Sequence, residues 1–101
     1  MNYIDDNVAT FRKYAEAIFQ ENVSSFKEKE DGYLKGTNFL RLRVLNNLID
    51  LMRSQLHEKI TYMVADCQKK APSNAAILKG ELDKIYETYI SRLRNQHFKA
   101  E

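Results

Sequence analysis

One thiol, two imidazoles and a scatter of carboxylates are the groups in this chain whose chemistry could go beyond packing. Cys67 stands four residues after Met63 on a run of apolar positions at helical spacing. A thiol in apolar surroundings behaves as a small hydrophobe and lacks the cationic neighbour that would make it a nucleophilic thiolate. Cys67 is therefore expected to be buried and inert. His57 and His97 lie far apart in sequence, and each reads as a surface or boundary residue rather than a metal ligand or a general base. The pairs Asp5/Asp6 and Glu30/Asp31 are adjacent, so they fall on different helical faces or at helix ends, where capping and the helix dipole account for them. No Cys/His group has metal-finger spacing, and Gly32 and Gly36 lack the lysine and hydroxyl of a phosphate-binding loop. The expectation is a non-enzyme with no catalytic residue, no metal and no cofactor.

Arg92 and His97, with Asn95 between them, resemble over those six residues the arginine, four residues, histidine spacing of the helical HEPN nucleases. That resemblance would imply a nuclease. The two side chains stand about 140° apart on an ideal helix, and the chain is not assigned to that family.

The elements that would position any site are read from periodicity. Ile4, Val8, Phe11, Ala15, Ile18, Phe19, Val23 and Phe26 recur in steps of three and four, which predicts a first helix over about residues 6–30, capped by Asp5 or Asp6 and ended by Gly32. Gly32, Gly36, Thr37 and Asn38 supply a turn. A second helix then runs without a breaker over about residues 39–70, roughly 48 Å at 1.5 Å per residue. Its inward stripe is read as Leu42, Leu45, Ile49, Met52, Leu56, Ile60 or Lys59, Met63 and Cys67. A second stripe, Leu40, Val44, Leu48 and Leu51, makes the first half of that helix apolar around much of its circumference.

Ala71-Pro72-Ser73-Asn74 stops the second helix and starts the third, with Ser73 or Asn74 as its cap, over about residues 74–97. Gly80 near its start costs about 1 kcal/mol against alanine, a cost that a close helix approach would offset. Short connections set consecutive helices antiparallel, so the expected fold is an all-α, antiparallel three-helix bundle with a long central helix. The alternative has four helices, with the second breaking near residue 54.

Composition agrees. The 101 residues carry 44% apolar and 30% charged side chains with three glycines and one proline, too hydrophobic for disorder and too poor in breakers for a β-sandwich. One helical domain over residues 1–101 is expected. A net charge of +2 excludes a histone-like electrostatic binder. The acidic start, the absence of an apolar run of about 20 residues and the single cysteine predict a cytoplasmic protein that does not enter the membrane.

In such a bundle the end of the first helix, the start of the second and the end of the third meet at one pole. Lys27, Lys29, Lys35, Arg41, Arg43, Arg92, Arg94 and Lys99 gather there against Glu28, Glu30, Asp31 and Glu101. Tyr33, Phe39 and Phe98 are the exposed aromatics expected at that pole, and Tyr with Arg is over-represented at protein hot spots. The expected function is a protein–protein interaction module: a small cytoplasmic regulator, inhibitor or chaperone. It would bind a partner protein through Tyr33, Phe39, Leu40, Arg41, Arg43, Val44, Leu48, Arg92 and Arg94. The excess apolar surface favours a homodimer, with Phe39, Leu40, Val44 and Leu48 as contacts. The alternative is a nucleic-acid-binding regulator using the same basic pole.

Overall fold

In the computed structural model, residues 3–29 and 38–96 are described. They form three helices, α1 (Tyr3–Lys29), α2 (Asn38–Lys70) and α3 (Ala75–Arg94), with one 3₁₀ turn at Pro72–Asn74. No strand occurs among the described residues. The fold is the all-α three-helix bundle expected from the periodicity. The four-helix alternative is not seen, because α2 passes residue 54 unbroken.

The helix ends depart from the sequence reading in two places. Asp5 and Asp6 lie inside the first turn of α1 rather than before it, so they act on the exposed N–H groups through the dipole. Lys27 and Lys29 complement the other end. Asn74 occupies the cap position of α3 but makes no side-chain cap hydrogen bond, and the start is carried instead by the turn at Pro72, where the Asn74 N–H donates to the Ala71 carbonyl at 2.9 Å. Gly32 and Gly36 lie outside the described residues.

One core runs the length of the bundle. Phe11, Ala15 and Phe26 of α1, Leu45, Met52 and Leu56 of α2, and Leu78, Leu82 and Leu93 of α3 are almost fully buried. Ile49 is buried among them, as the α2 stripe predicts. Cys67 closes the core at the far end of α2, fully buried, its Sγ 3.5 Å from the Ala71 carbonyl oxygen. Gly80 meets no atom within 4 Å of the place a Cβ would occupy, so no close helix approach explains it.

The register between helices follows from a few contacts. On α2, Arg41 and Lys59 are 18 residues apart and hence aligned after five turns. Arg41 lies over the Phe26 ring at 5.8 Å and Lys59 over the Tyr14 ring at 5.1 Å, so that line of α2 faces α1 along most of its length. The His57 and Tyr86 rings meet at 4.7 Å, which sets α2 against α3 running the other way. Stepping back ten residues on α2 and forward ten on α3 puts Gln96 level with about Asn47. The first two turns of α2 thus lie past the described end of α3.

Candidate functional site

The offset between α2 and α3 decides which apolar residues of α2 are left in the open. Leu42 and Ile60 are also 18 residues apart and occupy one line of the helix. Ile60 is 4% exposed and Leu42 44%. Ile49, one heptad after Leu42 and about 20° away around the axis, is already buried. The line that α3 covers from Ile49 onward is uncovered at Leu42. Leu42 therefore does not belong to the inward stripe on which the sequence placed it. Phe39, on the line of His57, is 76% exposed.

Leu48 departs in the other direction. It lies within about 20° of the line shared by Arg41 and Lys59, which faces α1, and it is buried in the core. It is removed from the outward stripe and from the contact surface. Val44 is half-buried and packs against the core. The outer edge of that stripe, Leu40 and Leu51, stays exposed at 38% and 52%. Phe39, Leu40, Leu42 and Leu51 are thus the apolar side chains that the first half of α2 leaves to solvent.

The basic pole is divided. Arg41 is buried, its stem and guanidinium taken up at the α1 boundary over Phe26, whereas Arg43, two residues on and so nearly opposite around the helix, is exposed. Arg92 and Arg94 diverge for the same reason. Arg94 is exposed and falls within about 20° of the line of Asp83, which lines the α2–α3 groove. Arg92 turns to α1: its Nη1 donates to Glu16 Oε2 at 3.1 Å, and its guanidinium lies 4.3 Å from the Phe19 ring centroid and 4.9 Å from that of Tyr89. Tyr33, Lys35, His97, Phe98 and Lys99 lie outside the described residues, and the Arg92–His97 pair with them.

The Arg92 contacts belong to a network that the sequence did not disclose, because its members are up to 76 residues apart. Glu16 accepts from the Tyr89 hydroxyl, from Gln20 Nε2 at 3.1 Å and from Arg92. These hydrogen bonds, that of Tyr89 foremost, hold the Glu16 carboxyl below its ordinary value. Burial, then the hydrogen bond and charge of Glu16, push the Tyr89 hydroxyl up. Phe19 and Tyr89 meet edge to face at 5.8 Å, a pair worth about 0.5–1.5 kcal/mol beyond its area. The network fastens α1 to α3.

Among the described residues no group of three or more His, Cys, Asp or Glu side chains is placed to hold a metal ion, and no helix is long and apolar enough to cross a membrane. Compared with protein-family models, curated proteins and solved structures, the chain finds no match.

Proposed function

We propose that this protein is a protein–protein interaction module whose partner sits on the first half of α2. The observation that carries the reading is the exposure of Phe39 and Leu42, three residues apart and so neighbours on one face of α2, with Leu40 exposed beside Phe39. Isolated exposed apolar residues are ordinary, but grouped ones mark binding surfaces more often than chance. Arg43, exposed on the same turns of α2, supplies charged hydrogen-bond donors beside the patch. The natural mode is a helix laid where α3 stops, continuing its cover of Leu42 and Phe39. A regulator, inhibitor or chaperone working in the cytoplasm fits this reading, with the buried Cys67 thiol compatible with a reducing compartment. The basic-pole alternative, nucleic acid, loses support because Arg41 is buried and Arg92 is engaged by Glu16.

The partner is either a different protein or a second copy. The variant that tests the surface is Leu42→Glu combined with Phe39→Glu, both at exposed positions, because Leu48→Glu would place a charge in the core. Sedimentation of the wild type at micromolar concentration distinguishes monomer from dimer. The double variant is expected to keep its melting temperature while losing dimerisation, or losing the partner captured by a monomeric wild type. Retention of every association by a folded double variant would remove this surface from the function.

A further inference from the structure

On the other side of the molecule α1 and α3 run parallel, and the seam between them is not closed. Two cavities open along it, about 610 Å³ near the start of both helices and about 330 Å³ further on. Arg12 and Glu81 line both, so the two form one continuous groove. Its first part is walled by aliphatic groups, Ile4, Val8 and Ala9 of α1 and Ile77 of α3, the last 56% exposed. Its second part is basic, with Arg12, Lys84 and Arg92 against the single carboxylate of Glu81.

The cations differ in what already holds them. Arg92 is engaged by Glu16 at 3.1 Å, and Lys84 by Glu81 at 3.4 Å in a solvent-exposed pair three residues apart, a kind of contact worth little and easily exchanged. Arg12 makes no ion pair among the described residues. It stands at the junction of the aliphatic and basic halves, with a planar fork of donors suited to a carboxylate.

We propose that this groove binds an acidic amphipathic helix of a partner protein, with an aliphatic side chain seated against Ile77 and Val8 and a carboxylate on Arg12 and Lys84. Charge complementarity selects the occupant: the basic half asks for acid, while the aliphatic half, flanked by Asp5 and Glu81, offers nothing to a run of phosphates. Ile77 and Lys84 are seven residues, or about 10 Å, apart along α3, so the occupant carries its aliphatic anchor at i and its carboxylate near i+7. A helix spanning from Ile77 to Arg92 needs about 16 residues and would complete a four-helix arrangement. This surface is separate from the α2 patch, and the two readings stand or fall independently.

The probe is a fluorescein-labelled peptide of about 16 residues, with leucines at i, i+3 and i+4 and glutamates at i+7 and i+11, titrated with the full chain by anisotropy. The same peptide with lysines for the glutamates, and a single-stranded oligonucleotide, are the comparisons. The glutamate peptide is expected to bind and the other two are not. Arg12→Glu and Ile77→Asp, both exposed and both expected to melt as the wild type does, should each weaken binding about tenfold, equivalent to 1.4 kcal/mol, while Leu51→Glu leaves it unchanged. Absence of glutamate-peptide binding, equal binding of the lysine peptide, oligonucleotide binding that depends on Arg12, or binding indifferent to Arg12→Glu would each overturn the proposal. So would an Ile77-dependent self-association in place of peptide binding.

Discussion

Glu16 shows what a partly exposed carboxylate can contribute when three donors converge on it. Its ordinary value of 4.5 is lowered in the fold, chiefly by the Tyr89 hydrogen bond. A group whose folded pKa lies below its unfolded one adds stability above the unfolded value and loses it as pH falls through the folded value. Glu16→Gln should therefore melt below the wild type near neutral pH, and the gap should close as pH falls below the ordinary value and through the lowered one. A gap that stays constant through acid would show that the Glu16 charge is not the stabilising element. Cys67 is the other residue whose surroundings decide the outcome of a substitution. A serine hydroxyl buried without a partner costs more than alanine, but the Ala71 carbonyl oxygen lies 3.5 Å from Sγ and can accept from it. Cys67→Ser is expected to be at least as stable as Cys67→Ala in thermal melts, and both should retain partner binding, since the thiol is buried in the core at the far end of α2 from the proposed surface.

At the level of the helices, Gly80 has neither a close neighbour nor a buried face to justify it. Gly80→Ala should stabilise the protein by about 1 kcal/mol, a rise of roughly 4–8 °C in melting temperature for a domain of this size. No rise would mean that the helix is strained at that position in a way its open surroundings do not reveal. The three helices themselves were legible because their apolar residues recur at 3.6-residue spacing and because Pro72 permits only one break between α2 and α3. Their ends were less so. Which of several polar residues caps a helix depends on where the chain turns, and Pro72 shifted that role at α3 from a side chain to a backbone hydrogen bond. The assignment of Leu42 inward and Leu48 outward failed for a related reason. Both lie on apolar stripes of α2, and only the lengths of α1 and α3 alongside decide which stripe is covered at a given turn.

For the molecule as a whole, an elongated body of 51 × 20 × 16 Å leaves little interior, and most residues lie within one helix diameter of solvent. The α2 half of the candidate site could be anticipated, because the doubly apolar start of that helix exceeds what two neighbours consume. The α1–α3 groove could not, since Arg12 belongs to no motif and becomes conspicuous only when Ile77, Lys84 and Arg92 are brought beside it.

The offset of α3 against α2 also fixes where the bundle opens first. Local unfolding costs least where few buried groups are lost, and among the described residues α1 alone braces the backbone of α2 between Asn38 and about Asn47. Amide protons of that stretch are therefore expected to exchange with deuterium orders of magnitude faster than those between Leu56 and Met63, where both neighbours pack. Occupancy of Leu42 and Phe39 by a partner supplies the missing brace, so binding there should be read out as slowed exchange over the first two turns of α2, with the far end of the helix unchanged. Uniform exchange along α2 in the free protein would mean that its start needs no second neighbour, and that a partner would gain no ordering by docking there.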